Sequence, residues 1–573
     1  MFKKVSSTTL VKAFLYGALV ATATAGALAL FVGEKTTPTG TKAWNFAALV
    51  TGKQHLPDSF LWWFVLFELV VLGVMALVFF GGLKSEKKEK DLAERLGTGD
   101  DLAPLKEKAA TKDARQLHPQ CPWLPPGQVI GRAIADNAVL YQGWRSTGLA
   151  IIAPGGGKTS RLVIPRMAAA PGAAFMTGNK VDGVPEVIAA RRDVGQILIL
   201  DAGKIYRRES TPDFIVNFAR LFKTFDHDEV TILAEELAKS FIVAAQKNNV
   251  ADAGQAKDDA HFGPAGTKAF AWFLLAAAMN DEPVWKIHEW AFKGELERVA
   301  TLLDQGGFEP QAIEIRGMDK WPDKTRGSLV ATLQRMCADL GHSAFRAWTT
   351  PSAFLREFDP DAFLDSKDTL ILLSERRPGG TGAVIAALLK FIFEAAKRQT
   401  PGESRLRVPL VGELDEVANI APWPSLPEDY SHFGSRGLCI TTYLQAYSQG
   451  VQEWGAARMK TLWQTAGIRI VGANEEDDFT QGLSRVVGTY EKDLGEQRGS
   501  RSAAIAGVED FANLPEFHVI VFSPKTRPAV VKLQGWFEDK LLRKKIDAGK
   551  AALKEEATVV VHEIPEDSEK ESA

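Results

Sequence analysis

Two long apolar runs open the chain, and their length decides what they can be. From Ala13 to Val32 nearly every position is apolar or small, and from Leu61 to Phe80 only Glu68 interrupts. Each run reaches the roughly 20 residues that a helix needs to cross a hydrocarbon core. Residues 1–83 are therefore expected to form a membrane anchor with two transmembrane helices, about 13–32 and 61–80. Lys3, Lys4 and Lys12 precede the first run, and Lys84, Lys87, Lys88 and Lys90 follow the second. By the positive-inside rule both flanks face the cytoplasm, and Gly33–Ser59 is left outside as a short loop. Trp62 and Trp63 fall where an interfacial aromatic belt sits. A cleaved signal peptide is the rival reading, because Ala21–Ala29 offers Ala-x-Ala-like sites. Its apolar stretch is long for a signal, and export would strand the phosphate-binding residues described below away from ATP. Glu68 reads as a protonated or hydrogen-bonded group between helices, against the alternative of a functional intramembrane acid.

Beyond the anchor the periodicity changes. Residues 84–127 are charged with little apolar rhythm and read as a solvated linker that ends in a Pro/Gly-rich loop, Pro119 to Gly127. Short β-like runs then alternate with helix-compatible stretches: Leu149–Ile152, Ala173–Thr177 and Ile197–Leu200. This is the rhythm of a parallel sheet. It stops near Thr211. Residues 226–350 read as helix after helix, with Thr231–Gln246, Gly266–Met279, Val284–Phe292, Leu296–Asp304 and Ser328–Leu340 as the clearest. Strands resume at Thr369–Leu373, Pro409–Leu414, Leu438–Leu444, Ile468–Gly472, His518–Phe522 and Ala529–Leu533. The expected class is α/β: one domain in two parts, 128–225 and 351–545, around an inserted all-α domain. Residues 546–573 read as an acidic, disordered tail.

Composition narrows the chemistry. The apolar share of 46% and charged share of 24% are those of ordinary globular protein, so bulk disorder is excluded. A net charge of -3 leaves no whole-chain basic excess, so any grip on nucleic acid must be local. Cys121, Cys337 and Cys439 lie far apart without a C-x-x-C pair, which argues against a disulfide framework or zinc site.

The candidate chemistry sits at strand ends. Ala153-Pro154-Gly155-Gly156-Gly157-Lys158-Thr159-Ser160 follows one expected strand and precedes a helix-capable run. Its glycines let backbone N–H groups curl around phosphates, Lys158 would reach the β and γ phosphates, and the Thr159 hydroxyl would ligate Mg²⁺. Ile152 stands where the first glycine of G-x-x-x-x-G-K-[ST] belongs. Pro409–Leu414 then leads into adjacent carboxylates, Asp415 to hold the Mg²⁺ shell and Glu416 to polarise the attacking water. Gly412 and Glu413 are odd for a buried strand and suggest a less dry edge. Leu438–Leu444 ends at Gln445, a candidate γ-phosphate sensor. The bland alternatives are a glycine-rich turn with a chance lysine, and solvated polar residues at strand ends.

The stretch from Leu414-Asp415-Glu416 through Pro422-Trp423-Pro424 to Arg436-Gly437, continuing to Leu444-Gln445-Ala446-Tyr447, resembles the TraG/TraD-like type IV coupling proteins, in the form of actinobacterial conjugative elements. Thr177–Asp182, His261–Pro264 and Lys324–Gly327 are similar to further stretches of that family. The resemblance implies a RecA-like P-loop ATPase using ATP and Mg²⁺, assembled as a homo-hexamer at the cell membrane with the bulk of the chain cytoplasmic. It further implies single-stranded DNA with its relaxase and the type IV secretion channel as partners, the inserted helices meeting the substrate. Such rings need an arginine from the neighbouring subunit. Arg436 is the candidate, with Arg376 and Arg377 as alternatives. Two other readings stand beside a DNA pump: a membrane receptor for protein substrates switched by nucleotide, and a double-stranded DNA segregation motor, which typically has more spans and a C-terminal DNA-reading domain.

Overall fold

The computed structural model describes residues 92–207, 211–248, 256–375, 380–402, 404–421, 423–493 and 500–562. Both expected membrane-spanning runs lie outside these, as do Arg376 and Arg377. Among the described residues no helix is long and apolar enough to cross a membrane.

Along the chain, β1 (Gln128–Ala133) and β2 (Val139–Gln142) form an antiparallel pair. They are followed by β3 (Gly148–Ile151), β4 (Ala174–Gly178) and β5 (Ile197–Leu200). Next come β6 (Phe214–Ile215), a block of helices from His227 to Thr349, and β7 (Arg356–Glu357). The sheet resumes with β8 (Thr369–Leu373), β9 (Leu410–Leu414), β10 (Leu438–Leu444) and β11 (Ile468–Val471). A separate hairpin, β12 (Thr489–Asp493) and β13 (Ser500–Ala504), precedes β14 (His518–Ser523) and β15 (Thr526–Lys532). Eleven strands join one sheet in the order β2-β1-β15-β14-β11-β3-β10-β9-β4-β8-β5. From β11 to β5 the neighbours are parallel, while β14, β15, β1 and β2 extend the sheet antiparallel.

The parallel strands are buried on both faces, which is why their sequences run apolar instead of alternating. In β8, β9 and β10 every position is buried. The helical block leaves after β5 and returns at β8, its immediate neighbour, so it interrupts the sheet's chain but not its pairing. The two-residue parallel pair β6–β7 ties the way in to the way out, with Phe358 N–H donating to Ile215 O and Val216 N–H to Trp348 O. Inside the block, Phe270, Phe273, Trp290, Phe345 and Trp348 are fully buried.

The structure departs from the sequence reading at both flanks of the α/β domain. Residues 84–127 were expected to be a solvated linker, yet from Leu92 the chain packs into the body: Leu92 and Leu96 enter one core cluster, and Leu102, Leu105 and Ala114 another. At the far end, a helix runs Lys540–His562 across the boundary expected for a disordered tail at 546. Ile546 is 0% exposed, Leu542 and Leu553 pack against the same core, and a Cβ on Gly549 would lie 2.4 Å from Ala189 O in the helix Val184–Arg191. Charged surroundings hid one narrow apolar stripe at each place.

Glu413 corrects the idea of a wetter edge. It is 0% exposed in the middle of β9, hydrogen-bonded by Tyr443 Oη and, at 3.4 Å, by Gln128 Nε2. Burial pushes its carboxyl up to about 8, against the pull of the nearby Arg166. Gly412 beside it is required by space, since a Cβ there would lie 2.4 Å from the Phe175 ring. Removing the Tyr443 hydroxyl leaves a buried acid short of its donor, so Tyr443→Phe is expected to cost about 1–3 kcal/mol. A chemical-denaturation midpoint indistinguishable from wild type would refute that assignment.

Candidate active site

β3 ends at Ile151, and the chain turns at once into a loop built by glycine. Gly155 and Gly157 take φ of 79° and 83°, a region open to glycine at no steric cost. Ile152, in the place of a first glycine, fits because it belongs to the strand end and not to the loop. Its N–H donates to Leu444 O at 3.0 Å, and it is buried. The cost moves to Gly156, where a Cβ would come within 2.4 Å of Ile152 Cγ2. After the loop, Thr159–Val163 makes one π-helical turn before the α-helix Ile164–Ala168.

β9 delivers the two carboxylates opposite. Thr159 Oγ1 donates to Asp415 Oδ2 at 3.0 Å, and Thr177 Oγ1, from β4, donates to Asp415 O at 2.7 Å. Asp415 Oδ1 is buried with no hydrogen-bond partner. Burial pushes this carboxyl up to about 6, although Lys158 and the Thr159 hydroxyl pull the other way. A buried orphan oxygen beside a threonine hydroxyl is the hard donor set that suits Mg²⁺. Glu416 adopts φ 56° and ψ 24°, a left-handed conformation rare for a non-glycine residue, which costs of order 1–3 kcal/mol and persists only where neighbours enforce it. Two amides do so: Gln445 Nε2 donates to Oε1 at 2.7 Å and Asn419 Nδ2 to Oε2 at 2.6 Å. Lys158 Nζ lies 3.6 Å from Glu416 Oε1 and donates to Ile152 O at 3.2 Å.

These groups surround one cavity of about 420 Å³, within the range of small-molecule and cofactor sites. Ala153, Pro154, Gly155, Gly157, Lys158, Thr159, Ser160, Asp415, Glu416 and Gln445 all line it; Gly156 alone of the expected loop residues turns inward to Ile152. The Thr177–Asp182 stretch forms another wall through Thr177, Gly178, Asn179, Lys180 and Asp182. Sequence reasoning missed Asn419, although an amide three residues after the paired carboxylates was a readable cue. It also missed Glu186 and Trp536, which no local pattern betrays.

Arg436 does not join the cavity. It ends the helix Leu426–Arg436, before β10, whereas the cavity lies after the ends of β3, β9 and β10. Its Nη1 donates to Thr400 O at 2.7 Å and Thr400 Oγ1 at 2.8 Å, fastening the end of the helix Gly382–Gln399. The expected catalytic arginine is thus engaged in the fold of its own subunit.

The sheet, the loop and the paired carboxylates define a P-loop NTPase fold. Residues 409–510 match the family TraG-D_C, described as the TraM recognition site of TraD and TraG. Among solved structures, the chain is similar to the bacterial conjugative coupling protein TrwBdeltaN70 in its unbound monoclinic form. The TM-score is 0.50 at 15% identity, covering 75% of this chain and 91% of that one. TrwB in complex with ADP and Mg²⁺ gives 0.44 at 15% identity over 68% and 85%. VirB4 of Thermoanaerobacter pseudethanolicus gives 0.42 at 12% identity over 71% and 96%. No curated protein sequence matches the chain. The likeness to TraD and TraG lies in residues 409–510, and the likeness to TrwBdeltaN70 lies in the fold.

Because Arg436 holds Thr400, Arg436→Ala is expected to cost about 1.5–3 kcal/mol of stability, the range for hydrogen bonds to a charged group, while nucleotide affinity stays at the wild-type level. Thermal melting alongside a nucleotide-binding titration checks both halves. An unchanged melting temperature with lost hydrolysis would restore the catalytic role.

Proposed function

We propose that this protein is an ATP-hydrolysing coupling protein that recruits a relaxase–DNA substrate and drives single-stranded DNA into a type IV secretion channel. The observation that carries the reading is Glu416, a strained carboxylate held by two amides within 3.6 Å of the Lys158 ammonium. A carboxylate so oriented is a general base for water. Lys158 is held by Ile152 O and the Glu416 carboxylate. ATP phosphates offer it a stronger partner, and its departure leaves Glu416 free to take a proton from water. Thr159 and Asp415 would hold Mg²⁺, whose charge offsets that developing on the phosphates. Gln445 shares Glu416 Oε1, so any shift of the carboxylate reaches β10 directly.

The alternative, a receptor for protein substrates switched by nucleotide without DNA pumping, has no use for the Asn419 and Gln445 amides that aim Glu416. DNA and relaxase as cargo, the homo-hexamer and the channel rest on the TraD/TraG segment and the coupling-protein fold. An arginine acting across subunits remains part of the proposal, but Arg436 could serve only by leaving Thr400.

Two variants should fail for different reasons. Lys158→Ala loses a charge contact to phosphate and is expected to weaken ATP binding and abolish turnover. Glu416→Gln keeps the shape, turns one of the two accepting oxygens into a donor, and cannot accept the proton. ATP should stay bound while DNA-stimulated turnover falls by about 10²–10⁴. Near wild-type hydrolysis by Glu416→Gln would remove the catalytic assignment.

The membrane anchor at residues 1–83 belongs to the same proposal, resting on the two apolar runs and their flanking lysines. Labelling of intact cells tests it cleanly, because all three native cysteines are buried. Asn45→Cys should react with an impermeant maleimide and the exposed Asp100→Cys should not. The reverse pattern would overturn the topology.

A further inference from the structure

The groups that serve phosphate and metal account for one side of the cavity, and Trp536 has no part in them. It stands in the turn that follows β15, in a short 3₁₀ segment, Trp536–Glu538. The half-buried indole nevertheless lines the same cavity as Lys158 and Thr159. Its placement is built. Arg161, one turn beyond the phosphate loop, donates through Nη1 to Leu533 O and to Glu538 Oε1, each at 2.8 Å, and so brackets Trp536 from both sides in sequence. The Arg161 guanidinium stacks 3.7 Å from the centroid of Phe517, itself held at φ 62°. The Lys550 ammonium lies 5.5 Å from the Trp536 centroid and pairs with Glu186, another cavity-lining residue. The C-terminal turn is thus tied to the phosphate loop by a buried arginine, to the helix Val184–Arg191 by an ion pair, and presents an aromatic ring to the cavity between them.

Resting on the reading of this cavity as an ATP site, we infer that Trp536 is the platform on which the nucleobase stacks. A triphosphate on Gly155–Thr159 must send its ribose and base out along the remaining cavity wall, and the indole is the one aromatic ring that lines it among the described residues. A flat π-surface matches a purine ring, and such stacking accepts any base because every base has a π-face. The role predicts a loss confined to ligands that carry a base.

The test uses detergent-solubilised full-length protein, with ADP and inorganic tripolyphosphate as probes, both with Mg²⁺, followed by calorimetry. Trp536→Ala should weaken ADP binding roughly ten- to hundredfold, leave tripolyphosphate within about twofold, and Trp536→Phe should recover most of the loss. Trp536→Leu, which keeps apolar bulk without a π-face, should resemble Trp536→Ala and guards against collapse of the turn. Unchanged ADP affinity in Trp536→Ala and Trp536→Leu, or parallel loss of tripolyphosphate, would overturn the platform while leaving the ATP site standing. Wild-type protein that binds neither probe would sink the ATP-site reading itself.

Discussion

The hydrogen bond from Thr159 to Asp415 joins two parts of the chain 256 residues apart, and the site exists only because the sheet brings their strands to the right heights. β10 lies between β3 and β9, and its register pairs Leu444 with Ile151 but Thr442 with Leu414. β9 therefore stops two positions lower than β3. That offset leaves room for the glycine loop to fold over Asp415 and Glu416 and not collide with them. Slippage by one residue would turn every β9 side chain to the opposite face. Glu413, held by Tyr443 and Gln128, and Asp415, held by Thr159, sit two residues apart on the same face, so one buried contact and one functional contact fix the same register.

Burial sets the electrostatics that follow. Low polarity around Asp415 resists its ionisation, and the cation that opposes this, Lys158, is shared with Glu416. Asp415 and Glu416 thus share the Lys158 ammonium, and one Asp415 carboxylate oxygen is unpartnered. An arrangement short of positive charge is poised to accept a divalent cation, which supplies what Lys158 alone cannot. The left-handed backbone at Glu416 is sustained by the same economy: the two amides that hold its side chain replace the solvation the carboxylate loses.

How much of this the sequence carried depends on whether a feature is local. The strands β3, β8, β9 and β10 were legible because strands buried on both faces are continuous apolar runs. The placing of the loop, Asp415, Glu416 and Gln445 at strand ends around one cavity was legible from their spacing. The helical insertion showed through its change of period. By contrast, the packing of Leu102 and Ile546 rests on isolated apolar residues in charged surroundings, and no window statistic separates them from a solvated helix. Trp536 is recognisable only once β15 has been seen to end beside the phosphate loop. Arg436 stands between two motif strands in sequence, and helix direction puts it before β10, at the end of the strands opposite the cavity, where it meets Thr400.

A second charged knot ties the insertion to the segment that follows Glu416. Lys390, on the helix Gly382–Gln399, is buried, with Glu236 at 2.8 Å, Glu394 at 3.2 Å and Asp429 at 3.6 Å. Burial alone would depress its pKa, but Asp429, Glu236 and Glu394 outweigh that and hold the ammonium above its usual value. Glu236 belongs to the first helix of the insertion, His227–Asn248, and Asp429 to the helix Leu426–Arg436, which begins ten residues after Glu416. Asp429 is pinned in turn by Trp423 Nε1 at 2.9 Å and Ser425 Oγ at 2.8 Å, inside the connection from Glu416 to that helix. Removing any one carboxylate leaves a buried cation undercompensated, which is far costlier than never burying it. The knot therefore resists independent motion of the insertion and of the segment that follows Glu416.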